Sequence, residues 1–372
     1  MKVSLAASPL PGLRGQTVCD IAREAWQAER PRDFLSCRCS SDGRAPAYSE
    51  SGIYDVLGLT ETVERGGPFR RLAAVGESKA ALDYVELLPG PFCGDSSALG
   101  DDISWALARG VDEIIVALGV PGGIGDLGWA MIARLAGAED LSGLSEARNG
   151  QAPAMNAPDL QQLIARAREA LGTVHLSVVV GGRQRLLGMS GLARAWMPEG
   201  LSASRAQETE RRLGEAAERL VRTANAVPGR DLTGRPLSSR GPYSGAGGGL
   251  ALGLEAVGGR IVRLSDLVHS RLEGWADEAD LCVYVCGEVG EDLPEGLQGA
   301  IRRAQEEGLP IVLVYDSGSL RRGELARLGL NAAYEMRSER SFVESVETPE
   351  SAAQVRERLD STIRAVSRTW GW

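Results

Sequence analysis

The sequence predicts an α/β protein of two domains with mainly parallel sheets, and three observations carry that prediction. Near-continuous apolar runs at residues 113–118, 280–286 and 309–315 have the length and β-branched content of strands buried on both faces. The segments between such runs show helical periodicity, so strands and helices alternate as in βαβ units. The 372 residues exceed one ordinary domain, and 47 glycines with only 5% aromatics suit many tight strand-to-helix turns.

Taken in order, residues 3–7 form a short apolar run ended by Ser8 and Pro9, which predicts a buried first strand. Val18, Ile21, Ala22, Ala25 and Trp26 share one face of a helix over 17–30, whereas residues 36–70 read as loop-rich. Strands are expected at 71–75 and 82–88, a helix at 99–109, and a buried strand at 113–118 that runs into a glycine loop and a helix at 129–136. Pro158 suits the first turn of a helix over 158–171, and 174–180 is a strand. Residues 203–226 are a long charged amphipathic helix. A Pro/Gly/Ser-rich stretch then leads to GAGGG at 245–249 and the apolar helical run of Leu250, Leu252, Leu254 and Val257. Ser265 is a candidate N-cap for a helix over 266–272. Strands at 280–286 and 309–315 flank a helix at 297–307, and helices at 319–328 and 352–366 complete the chain.

The formal charge of −9 and the scattered arginine pairs exclude a nucleic-acid face, which needs concentrated positive charge. No run reaches the length of a membrane span and the N-terminal apolar run is too short for a signal peptide, so a cytoplasmic location is expected. Of the six cysteines none has C-x-x-C spacing; Cys282 and Cys286 read as buried thiols, and Cys37-x-Cys39 is the one pair close in sequence.

Two stretches have the form of an anion site. The glycines of 245–249 open into a helix, where backbone N–H groups and the helix N-terminus attract phosphate or carboxylate, although close helix packing also calls for glycine. The loop GVPGGIGDLG at 119–128 places Gly122, Gly123, Gly125 and Asp126 at a strand's carboxyl end. Asp126 there is a candidate base or metal ligand, or a helix cap. The loop also satisfies G-x-G-x-x-G, but an extra Val-Pro-Gly separates that motif from the strand and no acidic strand end follows at dinucleotide spacing. A Walker motif is absent. Gly287, Glu288, Gly290, Glu291 and Asp292 follow another strand and can hold a metal or form an acidic turn.

The order of these elements resembles the bacterial glycerate kinase family, which transfers the γ-phosphoryl group of ATP to glycerate. SGAGGGLALGLEAVGG is similar to the family's G-A-A-G-G-L-G run, and ADLCVYVCGEVGED to its A-D-L-V-I-T-G-E-G-x-x-D. SSDG at 40–43 sits where the family has D-G-G, and the segment 96–119 resembles the helix and strand before its G-G-S-x-T-N-D-G-G loop. That loop keeps only glycines and Asp126 here. The early D-S-F-K-G-S becomes ASPLPGLRG, with Arg14 as the basic residue, and Gly181 and Arg183 stand where C-D-V-x-N-P-L-L-G carries polar groups. The Q-T and G-K that follow the last motif are gone, with Ala300 near the lysine's place.

The resemblance implies ATP and Mg²⁺ as cofactors and a small hydroxy acid as acceptor. It implies Asp126, Asp292 and Asp42 as catalytic candidates, and Glu288 with Asp292 as metal ligands. Gly122, Gly123, Gly125, Gly247, Gly248, Gly249, Ser96 and Arg14 are the implied substrate or phosphate contacts. It further implies a glycerate kinase-like pair of domains, residues 1–75 plus 265–372 forming a discontinuous Rossmann-like one and 76–264 the second, with the cleft between them. The motif departures also admit a relative that binds ligand without catalysis.

Overall fold

The computed structural model describes residues 1–41, 57, 59, 62–65, 71–76, 78–84, 94–118, 124–181, 183–198, 200–229, 235–290, 293–337 and 351–371. The chain divides into two compact units: Met1–Arg44, Ser49–Gly58 and Leu264–Trp372 make the first, and Ala45–Tyr48 with Leu59–Arg263 the second.

The first unit is built on a five-stranded sheet whose strands are all parallel. Its strands are β1 (Lys2–Ala7), β2 (Phe34–Cys39), β9 (Leu281–Val289), β10 (Ile311–Gly318) and β11 (Ala332–Glu335), in the order β11-β10-β9-β1-β2. Burial on both faces explains the unbroken apolar run of β9, whose residues Leu281 to Cys286 are all buried. Helix α1 (Gly15–Glu29) follows β1 and buries Val18, Cys19, Ile21, Ala22, Ala25 and Trp26, the face read from periodicity. These side chains share a core with Val355, Leu359, Ile363 and Val366 of the last helix, Ala352–Trp370. Asp316, at the carboxyl end of β10, is buried between two arginines: Arg337 Nε and Arg358 Nη2 each lie 3.0 Å from its carboxylate.

The second unit holds a six-stranded sheet of order β3-β4-β5-β6-β7-β8. Strands β3 (Thr62–Arg65), β4 (Arg71–Val75) and β5 (Lys79–Tyr84) form an antiparallel meander, and β5 continues in parallel with β6 (Glu113–Leu118), β7 (His175–Val180) and β8 (Arg260–Arg263). Helices α2 (Ser97–Leu107), α3 (Trp129–Leu135), α4 (Ala157–Leu171), α5 (Leu192–Ala195), α6 (Ala203–Ala226) and α7 (Leu250–Ala256) cover it, and they share one core with the apolar residues of β5, β6 and β7. Pro158 does lie at the start of α4, behind an Asn156 cap that accepts from Asp159 N. One α4 side chain ties the far ends of two other helices together. The Arg168 guanidinium donates to the carbonyls of Ala224, Val227 and Pro228 at the end of α6 and of Ala256 at the end of α7, at 2.6 to 3.1 Å.

Several elements differ from expectation. Strand β2 occupies part of the stretch read as loop-rich, and β5 begins three residues earlier than the run at 82 suggested. The helix expected over 319–328 is a short 3₁₀ turn at Arg322–Glu324 followed by the single turn Leu325–Leu328.

Candidate functional site

In the second unit, three segments that were far apart in the sequence meet beyond the carboxyl ends of β6 and β7. Asp126 lies in the loop between β6 and α3 and is 1% exposed. Its Oδ2 accepts from Ser96 N (3.1 Å), Ser96 Oγ (2.7 Å) and Ala130 N (3.1 Å), and its Oδ1 accepts from Gly128 N (3.0 Å). Ser96, the residue before α2 and itself fully buried, accepts in turn from Met131 N at 2.9 Å. The pair thus satisfies the Ala130 and Met131 amides in the first turn of α3, which have no partner inside their own helix, and ties them to the Ser96 amide just before α2. Burial, the strongest influence, pushes the Asp126 carboxyl above its ordinary value, against the four bonds from Ser96, Gly128 and Ala130. Between Asp126 and α3, Leu127 adopts φ 54°, a left-handed conformation rare for leucine, while fully buried.

The glycine run packs directly on this loop. Gly247, Gly248 and Gly249 have φ of 60°, 72° and 95°, left-handed values that glycine adopts without strain. A Cβ on Gly249 would stand 2.5 Å from Leu127 Cδ2, and one on Gly253 would meet the Leu127 carbonyl and come within 2.8 Å of Gly128 Cα. A Cβ on Gly247 would reach Leu118 Cδ2 at 3.0 Å. Gly245 donates to Gln184 O at 2.9 Å and lies against Arg185, while Ser244 Oγ accepts from Leu186 N at 3.2 Å. Backbone contact therefore accounts for the glycines at 245 and 253, and a left-handed φ with the Leu127 side chain close by for the one at 249. The N–H groups of Gly249 and Leu250 are bonded within the turn, to Gly245 O and to the carbonyls of Ala246 and Gly247. Gly125 is buried beside Asp126, and Gly122 and Gly123 lie outside the described residues.

In the first unit, a second set of candidates gathers at the carboxyl edge of the parallel sheet. Strand β1 connects outward to β2 on one side and pairs β9 on the other, so the chain reverses direction across the sheet between β1 and β9, where open α/β sheets bind ligands. Arg14 is the exposed N-cap of α1, which starts just beyond β1. The turn before it is closed by paired bonds between Leu10 and Leu13 at 3.0 and 2.9 Å. Gly287 and Glu288 sit in the last part of β9, and Glu288 is exposed. Beneath them, Tyr284 Oη bonds both Ser8 Oγ (3.0 Å) and Ser40 Oγ (2.9 Å), linking the ends of β1, β2 and β9. Gly296 is required there, because a Cβ would collide with Tyr284 Oη and Ser41 O. Asp42 and Asp292 lie outside the described residues; Asp42 directly follows Ser41, and Asp292 comes three residues after β9.

The sequence did not disclose the Ser8–Tyr284–Ser40 chain or the Asp316 cluster. Tyr284 is hidden inside an apolar run, and Asp316 could have been flagged only as a carboxylate immediately after a buried strand. Among the described residues no group of three or more His, Cys, Asp or Glu side chains could hold a metal, and no helix is long and apolar enough to cross a membrane.

Two α/β units, one with a wholly parallel sheet and a polar carboxyl edge, define the class. A model of the glycerate kinase family matches residues 77–371, and the chain belongs to that family. Membership supports a glycerate kinase-like function with a small-molecule substrate. The fold is that of the crystal structure described as "putative glycerate kinase 2 from Salmonella typhimurium LT2", which is 19% identical with a TM-score of 0.69, covering 99% of this chain and 98% of that one. Uncharacterized proteins from Mycobacterium bovis and Mycobacterium tuberculosis are each 28% identical over 330 residues, covering 83% of this chain and 76% of theirs.

Proposed function

We propose that the protein phosphorylates glycerate or a similar small hydroxy acid with ATP and Mg²⁺. Alongside the family match, one observation carries this reading: the carboxyl edge of the first sheet joins the α1 N-terminus and Arg14 with Glu288. A helix N-terminus attracts anions, and Arg14 beside it adds the charge that a phosphate or a carboxylate substrate needs. Glu288 is an exposed hard-oxygen ligand, and Mg²⁺ typically uses one or two carboxylates together with phosphate oxygens, so the residues fit the ion. When bound, the ion would neutralise charge on the transferring phosphoryl group. Asp292 is proposed as the second ligand and Asp42, with Asp292, as the acidic group that accepts the hydroxyl proton. Within the second unit, the loop of Gly122, Gly123 and Gly125 and the run Gly247 to Gly249 are proposed as substrate or phosphate contacts through their backbone. Asp126 and Ser96 act as positioning residues that fix this loop on α2 and α3, rather than as groups that touch substrate.

The enclosure of Asp126 by four donors favours a second reading, in which the chain binds ligand without transferring phosphate. Coupled ADP release from Mg-ATP with D-glycerate separates the two. Glycerate-dependent turnover that falls on the order of 10² in Glu288→Gln supports the kinase. Saturable ATP binding with no such turnover supports the binding protein.

A further inference from the structure

We propose that Cys19, Cys37 and Cys39 form an oxidisable thiol cluster in which a peroxide joins Cys19 of α1 to one of the two thiols of β2 as a disulfide. The cluster belongs to the βα layer of the first unit. Cys37 and Cys39 are two apart in an extended strand and so share a face. That face meets the first turns of α1. The Cys37 thiol donates to Cys19 O at 3.6 Å, and the Cys39 thiol donates to Gln16 Oε1 at 3.5 Å. Cys19 lies in the core shared by α1 and the first sheet, and Cys37 and Cys39 pack against that same core.

The three sulfurs differ in access. Cys19 is 1% exposed, whereas Cys37 and Cys39 are half-buried and open to a small oxidant. The neighbouring Cys37 thiol and burial raise the Cys19 thiol well above its ordinary value, against a lowering by Cys39, so Cys19 reacts second and the more accessible strand sulfur meets the peroxide first, as its thiolate. That thiolate attacks one peroxide oxygen, breaking the O–O bond to give a sulfenic acid and hydroxide, which takes up a proton as water. Cys19 then attacks the sulfenic sulfur; the S–O bond breaks, the Cys19 proton leaves with the hydroxyl as a second water, and the disulfide closes. Two thiols and one peroxide thus give one disulfide and two waters. A Cys37–Cys39 link is disfavoured, because residues two apart in a strand have Cα atoms about 6.7 Å apart with parallel side chains, at the limit of disulfide geometry. Cys282 and Cys286 are fully buried in β9, and burial pushes the Cys282 thiol up to about 12, which keeps it inert.

The bond would sit under the carboxyl edge. Cys39 immediately precedes Ser40, which bonds Tyr284, and Arg14 is the N-cap of α1. Oxidation would therefore pin the end of β2 to the helix that presents Arg14.

Peroxide treatment of the native protein, alkylation of remaining thiols and non-reducing peptide mapping test this directly. The expected result is loss of two of the six thiols per chain, a peptide joining Cys19 to Cys37 or Cys39, and full recovery with dithiothreitol. Six unchanged thiols, a Cys37–Cys39 link, or over-oxidation without any link to Cys19 would overturn the proposal. Cys37→Ser/Cys39→Ser replaces only half-buried positions and leaves the core intact. Peroxide should then spare Cys19, and persistent oxidation of Cys19 in that variant would equally count against the cluster.

Discussion

Replacing Asp126 by asparagine removes one acceptor from a carboxylate that serves four donors, and the cost can be worked from where those donors lie. Oδ2 takes three bonds, from Ser96 N, Ser96 Oγ and Ala130 N, and Oδ1 takes one, from Gly128 N. The better asparagine orientation keeps its carbonyl at the Oδ2 position and turns its NH₂ toward Gly128 N–H, so one buried donor loses its partner. A buried unsatisfied donor costs about 1–3 kcal/mol, and the lost negative charge also weakens the three bonds that remain. Removing a buried charge recovers some of its desolvation cost, so Asp126→Asn is expected to lose about 1–3 kcal/mol overall. Asp126→Ala strands the amides of Ser96, Gly128 and Ala130 together and is expected to lose at least ~3 kcal/mol, a large part of a typical domain's stability. Urea unfolding followed by circular dichroism, with midpoints and slopes compared, measures both. Two variants within about 0.5 kcal/mol of the parent, the range of neutral surface changes, would refute the view that this carboxylate holds the helix ends in place.

Gly253→Ala should destabilise by about 2–3 kcal/mol or more, because its Cβ would drive into Leu127 O and Gly128 Cα, and thermal melting of the purified variant reads this. Arg168→Ala should cost about 2–3 kcal/mol in chemical denaturation, and Arg168→Lys should not rescue it, since one ammonium cannot span carbonyls on two helix ends. Asp95 supplies a pH test. Burial acts to raise its carboxyl, but the Ser97 hydroxyl and amide and the Arg148 guanidinium outweigh it and bring the carboxyl below its ordinary 3.8. A depressed acid stabilises the fold above its unfolded value and loses that contribution as the pH falls through the folded one. The stability gap between the parent and Asp95→Asn should therefore be full near neutral pH and close progressively below pH 3.8.

What the sequence disclosed and what it hid follow one physical line. The seven strands that read clearly were β1, β4, β5, β6, β7, β9 and β10, all with neighbours on both sides. The four that did not, β2, β3, β8 and β11, are the outer strands of the two sheets. An outer strand need not be apolar throughout: β8 is Arg-Ile-Val-Arg and β2 alternates exposed Phe34 and Arg38 with buried Leu35. The continuous hydrophobic run is a signature of enclosure, so it vanishes where enclosure ends. The glycine run shows the same limit in another form. Its letters serve anion binding and backbone contact alike, and only the position of Leu127 and Leu186 against Gly249 shows how tightly the space is filled. The cysteines were legible as spacing within the chain, but Cys19 joins Cys37 and Cys39 only through the docking of α1 on β2.

The pairing of β1 with β9 has a consequence for how the chain is made. Val3 bonds in register with Leu281, and Lys2 N donates to Asp280 Oδ2, so β1 borders a strand that is completed nearly three hundred residues after it. At about 5–20 residues per second, the ribosome takes roughly 15 to 60 s to cover that distance. During that interval the whole of the 59–263 unit emerges and has time to fold. The side of β1 that will receive β9 stays an unpaired edge throughout, which makes the nascent chain, rather than the finished protein, the form most in need of a chaperone.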